Sequence, residues 1–125
     1  MSRVLVVDDN PDSIRIVESI LKGTDYEVVA ATNGPAALEA VATKPPSVIL
    51  LDVMMPGMSG LEVLEKLRAE PKNGRIPIIL LTAKTQDEDV ISGYRTGADY
   101  YIPKPFTSKQ LLYGIRLVLG EPVPA

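Results

Sequence analysis

The chain has 125 residues, 46% of them hydrophobic and 23% charged, with a net charge of −3; this fits one domain with a buried core and excludes a disordered or collagen-like chain. Mild acidity without a basic patch argues against a broad nucleic-acid-binding surface. The absence of cysteine and histidine excludes disulfides, thiolate metal sites and a phosphohistidine on this polypeptide, so any metal must be a hard cation held by oxygens.

Taken in chain order, short continuous apolar runs alternate with segments of helical spacing. Val4–Val7 reads as a strand buried on both faces, as in a parallel sheet. Asn10-Pro11 supplies a cap and a first-turn proline for a helix striped by Ile14, Val17, Ile20 and Leu21 and stopped by Gly23. Tyr26–Ala31 is expected as a second strand, and Asn33-Gly34-Pro35 turns into a helix carrying Ala37, Leu38 and Val41, broken by Pro45-Pro46. Ser47–Leu51 reads as the third strand, and Ser59 caps a helix striped by Leu61, Leu64 and Leu67. Ile76–Leu81 reads as the fourth strand, Gln86–Thr96 as a weaker helix, and Ala98–Ile102 as the fifth strand. Thr107 or Ser108 caps a last helix through Leu111, Leu112, Ile115, Val118 and Leu119. Residues 1–120 are thus expected to form the domain, and 121–125 a tail or the start of a linker.

Five strands alternating with five helices predict an α/β fold, a doubly wound parallel sheet with helices on both faces. Ligands of such sheets bind beyond the carboxyl ends of the strands. The polar residues fall at those ends: Asp8 and Asp9 after the first run, Asp52 after the third, Thr82 after the fourth and Lys104 after the fifth. No stretch approaches the roughly 20 apolar residues of a bilayer span. Met1-Ser2-Arg3 leads too soon into aspartates for a secretory signal, so a cytoplasmic protein is expected.

Each of these residues also has a plain structural reading. Asp8-Asp9 would ordinarily be turn residues, but Asn10 already caps the helix, and two adjacent carboxylates need a cation or solvent to neutralise them, for which Mg²⁺ fits. Asp52 alone would be the polar end of a buried strand. Beside a divalent cation it is an ionised carboxylate able to attack a phosphoryl group and give an aspartyl phosphate. Thr82 is most simply a β-branched strand residue, or else a hydroxyl donor to a phosphoryl oxygen. Lys104 stands between Pro103 and Pro105; a proline turn explains the prolines but not the lysine, and Lys104-Pro105 is a candidate cis bond that would aim the ammonium at the pocket. Tyr101 is either ordinary strand packing or a ring that moves with the state of Thr82.

Together these residues resemble the receiver domain of two-component response regulators, over residues 3–119. The likeness is carried by Val6-Val7-Asp8-Asp9, Asp52 with Met54-Met55-Pro56-Gly57-Met58-Ser59-Gly60, Leu81-Thr82-Ala83, and Gly97-Ala98-Asp99-Tyr100-Tyr101-Ile102-Pro103-Lys104-Pro105-Phe106. The resemblance implies a flavodoxin-like sheet of order 2-1-3-4-5. It implies Asp52 as phosphoacceptor, with Mg²⁺ (or Mn²⁺) on Asp8, Asp9, Asp52 and the backbone carbonyl of Met54. Lys104 would pair with the phosphoryl group, while Thr82 and Tyr101 form a switch that rearranges the face of the fourth helix, fifth strand and fifth helix. The implied partners are a sensor histidine kinase or histidine phosphotransfer protein and a downstream effector, with no membrane and no direct nucleic-acid contact; a phosphorylation-dependent dimer is left open.

Departures from the family pattern also carry expectations. Met54 and Lys84 occupy positions that tune phosphate loss, and apolar Met54 predicts slow self-dephosphorylation. Tyr100 replaces an acidic residue used in the dimer salt bridges of one DNA-binding subfamily, so those bridges are not expected; Pro103 should stiffen its loop. Three rivals fit less well. A metal-dependent phosphatase with an Asp nucleophile would want an acid-base carboxylate where Met54 stands. A flavodoxin-like cofactor binder would want a Ser/Thr/Gly-rich loop in place of Asp8-Asp9-Asn10-Pro11. A phosphorylation-independent interaction module would be expected to have lost a pocket residue. The expected role is a phosphoacceptor switch that assists its own phosphorylation and dephosphorylation, not a turnover enzyme.

Overall fold

A strand that is apolar on both faces needs cover on both sides, and Val4 to Val7 has it. In the computed structural model, described over residues 2–83 and 97–122, β1 (Arg3–Val7) lies inside a five-stranded sheet of order β2-β1-β3-β4-β5. The other strands are β2 (Glu27–Ala31), β3 (Val48–Asp52), β4 (Ile78–Ala83) and β5 (Tyr100–Lys104). Every neighbouring pair is parallel. The expected order is the observed one.

Alternation along the strands divides the core in two. Leu5, Val7, Ile49, Leu51, Ile78 and Leu80 face α2 (Gly34–Thr43) and α3 (Gly60–Ala69), packing with Ala37, Val41, Val63, Leu64 and Leu67. Val4, Val6, Leu50, Ile79, Leu81 and Ile102 face α1 (Pro11–Leu21) and the C-terminal helix α4 (Ser108–Leu119), packing with Ile14, Val17, Leu21, Leu111 and Ile115. The helix over 86–96 expected from sequence, together with Lys84 and residues 123–125, lies outside the described residues.

The caps act as their residue types dictate. Asn10 and Asn33 accept from the backbone N–H of Asp12 and Ala36, while Ser59 with Glu62 and Thr107 with Gln110 form capping boxes. Thr107, not Ser108, is therefore the last cap. Gly120, at φ 71°, ends α4 in the left-handed conformation that a side chain disfavours.

Several strands start later than the apolar runs suggest. Ile76 donates its N–H to Asn73 O and so closes a turn, and Pro77 has no N–H, so β4 starts at Ile78 and runs on through Thr82 to Ala83. Asp99 is spent as a fastener: its Oδ2 accepts from Ile78 N at 2.8 Å and from Arg68 NH2 at 2.9 Å. β5 therefore starts at Tyr100 and ends on Lys104. Pro103 fits within it because β5 stands at an end of the sheet.

The same Arg68 guanidinium, largely covered, also donates to Gly97 O at 2.8 Å and Asn73 O at 3.1 Å. One side chain thus ties α3 to the entrances of β4 and β5. Arg68→Ala removes all three attachments and is expected to lower unfolding stability by about 2–4 kcal/mol, since bonds to charged groups are worth about 1.5–3 kcal/mol each and do not add fully. A shift of the urea midpoint at constant slope would measure it; a change under about 0.5 kcal/mol would contradict the fastening role.

Candidate functional site

Parallel strands deliver their carboxyl ends to one edge, and the register decides which residues meet there. Val7 pairs with Leu51 and Asp52 with Leu81, so residues 8 and 52 end at one level; Thr82 pairs with Pro103 and Ala83 with Lys104, so residues 82 and 104 stand one and two steps further along on the adjacent strands. Asp8 N donates to Ala31 O, which prolongs the β1 ladder by one step and fixes that carboxylate at the strand mouth.

Asp8 is only 1% exposed, and both of its oxygens are held. Oδ1 accepts from Asn10 N at 2.9 Å, and Oδ2 accepts from Lys104 Nζ at 2.9 Å. Asp52 is 6% exposed, and its Oδ1 accepts from the same Nζ at 3.1 Å. Asp9 is exposed beside them, and one carboxylate oxygen from each of Asp8, Asp9 and Asp52 lies within 4.8 Å of the others. The Lys104-Pro105 peptide is cis. Thr82 is buried at 2% exposure near the end of β4, Tyr101 is half-buried on β5, and Met54 stands 61% exposed two residues past Asp52.

The charges act on one another where Asp8 and Asp52 are buried. Burial pushes the Asp52 carboxyl above its ordinary 3.8; the Lys104 ammonium opposes this, and the charges of Asp8 and Asp9 push the same way as burial, leaving the net shift upward. Burial pushes the Lys104 ammonium down from 10.5, but hydrogen bonds and charge from Asp8 and Asp52 more than reverse this and hold it above that value. Among the described residues, three close carboxylates face one ammonium, which leaves excess negative charge. An all-oxygen set of that kind fits a hard divalent cation.

Two supporting contributions were not visible in the sequence. Asn10 was expected only as a helix cap, yet its backbone N–H also orients Asp8. Gly60 lets α3 start directly against β3: a Cβ there would overlap the carbonyl oxygen of Asp52 and lie 2.8 Å from Val53 Cα. Its N–H donates to Val53 O at 3.0 Å, so the chain just after Asp52 is clamped from above. The signal for Gly60 was a glycine directly after a serine cap, but its neighbour could not be named without the fold.

The chain matches the response regulator receiver domain family over residues 4–116. It belongs to that family. The DNA-binding response regulator MtrA of Mycolicibacterium smegmatis is 41% identical over 125 residues, 98% of this chain and 54% of that protein. The probable transcriptional regulatory protein TcrX of Mycobacterium tuberculosis is 42% identical over 116 residues, 93% of this chain and 49% of that protein. This receiver domain thus spans about half the length of the curated relatives it matches. Among solved structures it is similar to the Vibrio cholerae chemotaxis protein CheY4, with a TM-score of 0.89 and 34% identity over 94% of this chain and 98% of that one. A putative response regulator from Chloroflexus aurantiacus superposes with a TM-score of 0.91 at 32% identity, covering 96% and 98% of the two chains. The chain is therefore a receiver domain of a two-component signalling system. Among the described residues no helix is long and apolar enough to cross a membrane.

Proposed function

We propose that Asp52 accepts the phosphoryl group, and that Asp8, Asp9, Lys104, Thr82 and Tyr101 serve that event. The observation that carries the reading is the Lys104 ammonium bonded at once to buried Asp8 and buried Asp52. In the proposed reaction an Asp52 carboxylate oxygen attacks the phosphorus of a phosphohistidine on a separate sensor kinase or phosphotransfer protein. The O–P bond forms, the N–P bond breaks, and the imidazole nitrogen leaves with its electron pair. Lys104, already beside the attacking group, offsets charge on the transferring oxygens. A bound Mg²⁺ or Mn²⁺, held by Asp8, Asp9, Asp52 and the Met54 backbone carbonyl, would supply further positive charge at the same oxygens.

Phosphorylation adds roughly 1.5 to 2 negative charges and three acceptor oxygens at the end of β3. The Thr82 hydroxyl turns to one of those oxygens, the Tyr101 ring follows, and the face around β5 and α4 changes for an effector. The phosphoryl group shifts this equilibrium only as far as it binds one state better than the other. The proposed setting is the cytoplasm, and the proposed unit is residues 1–120, with 121–125 a tail or linker start. Relatives named as DNA-binding regulators favour a transcriptional output, with nucleic acid contacted elsewhere than in this domain.

Met54 stands where an Asp-nucleophile phosphatase would want an acid-base carboxylate, which favours a stored acyl phosphate over turnover. Met54→Asn, offering an amide to hold water, is expected to shorten the phosphoryl lifetime several-fold. An unchanged or longer half-life in a phosphate-release assay would contradict the shielding role of the thioether. The central test is intact mass after acetyl phosphate and Mg²⁺. The protein should gain one phosphoryl group and Asp52→Asn none; equal labelling of both would refute Asp52 as acceptor.

A further inference from the structure

The chain has no cysteine, histidine or tryptophan, so its methionines are its softest oxidisable groups. Their surroundings differ sharply. Met55 is 8% exposed inside the core beneath α2 and α3. Met58 is half-buried, packs on that same core, and lies so close to Gly34 that a Cβ there would come 2.7 Å from its sulfur. Met54 is 61% exposed, the most open of the large apolar side chains among the described residues, and it stands two residues past Asp52.

We propose that Met54 is a peroxide-reactive modification site whose oxidation to the sulfoxide shortens the life of phosphorylated Asp52. The inference rests on the reading of Asp52 given above. A sulfur lone pair attacks one oxygen of hydrogen peroxide, the S–O bond forms and the O–O bond breaks. The released hydroxide takes the peroxide proton and leaves as water; sulfur is oxidised and peroxide reduced. The product replaces an apolar thioether with a strong hydrogen-bond acceptor on an exposed side chain two residues past Asp52. A thioether beside the acyl phosphate discourages water, whereas a sulfoxide oxygen binds and orients it. Because methionine sulfoxide is reversible by reductases, the receiver would lose its phosphoryl mark faster under peroxide and regain its normal lifetime afterwards.

The experiment treats the full chain with dilute hydrogen peroxide, maps the added oxygen by peptide mass spectrometry, and then measures phosphate release after acetyl phosphate. Met54 should oxidise well before Met55 and Met58, and the lifetime should fall several-fold. Met54→Leu, which keeps the backbone carbonyl and removes sulfur, should have a lifetime indifferent to peroxide. Met54→Gln, a polar stand-in for the sulfoxide, should be short-lived without peroxide. Oxidation of Met55 or Met58 ahead of Met54, or a peroxide effect that persists in Met54→Leu, overturns the proposal. Phosphorylation with a lifetime indifferent to peroxide sinks this inference alone, whereas no phosphoryl uptake by the unoxidised chain sinks it together with the assignment of Asp52.

Discussion

Lys104→Met is expected to slow phosphoryl transfer to Asp52 by about 10²–10³-fold, the usual consequence of deleting one preorganised charge at a developing anion. The ammonium already sits 2.9 Å from Asp8 Oδ2 and 3.1 Å from Asp52 Oδ1, so little reorganisation is needed when charge arrives. Methionine matches its length without its charge. Rates of acetyl phosphate labelling for the two proteins would decide the matter, and a loss under about threefold would rule out the assigned role.

The same substitution tests the electrostatics of folding. Removing one partner of a buried ion pair strands the other, at a cost of about 3–5 kcal/mol in the general case. Here two carboxylates are stranded together, because Asp8 and Asp52 share the one Lys104 ammonium. For Lys104 the folded pKa lies above 10.5, so its stabilisation is complete below that pH and is lost as pH rises through the folded value. Lys104→Met should lack that alkaline decline. For Asp52 the folded pKa is also raised, so its contribution is most favourable below pH 3.8 and diminishes as pH rises through the folded value. Asp52→Asn should therefore match or exceed the parent in stability at neutral pH while taking no phosphoryl group.

Gly60→Ala is the second large expectation, because the added methyl group has no room. It would overlap the Asp52 carbonyl oxygen and press on the Val53 backbone, neither of which can swing aside as a flexible side chain would. Overpacking of this kind costs about 1–3 kcal/mol, and more where backbone must move. A displacement of the loop after Asp52 should also slow labelling, since misplacing a reacting group by about 1 Å can cost about 10²-fold. Gly23→Ala is the control: it has nothing within 4 Å and no positive φ, so its stability should stay within about 0.5 kcal/mol of the parent. Equal denaturation curves for the two alanine variants would contradict the close approach of α3 to β3.

Much of this was legible in the chain because it is local. Val4–Val7 and Val48–Leu51 announce fully buried strands by being apolar throughout, and Asn10, Asn33, Ser59 and Thr107 announce helix starts by the hydrogen bonds their side chains make. The strand limits near Ile78 and Tyr100 were harder. They depend on the Asp99 carboxylate reaching Ile78 N and on Arg68 reaching Gly97 and Asn73, and no hydropathy pattern reports such contacts.

The sequence by itself determined that apolar strands would end in carboxylates, a hydroxyl and a lysine, since Asp8, Asp52 and Thr82 follow their runs directly and Lys104 follows after one proline. What only the tertiary structure decided is who meets whom. Asp8 is sealed with both oxygens bonded while Asp9 stays open to solvent, and Lys104 chooses Asp8 Oδ2 and Asp52 Oδ1 across 96 and 52 residues of chain. The physical reason is that strand order and register are set by burying two apolar faces at once, a property of the whole sheet that no single segment encodes.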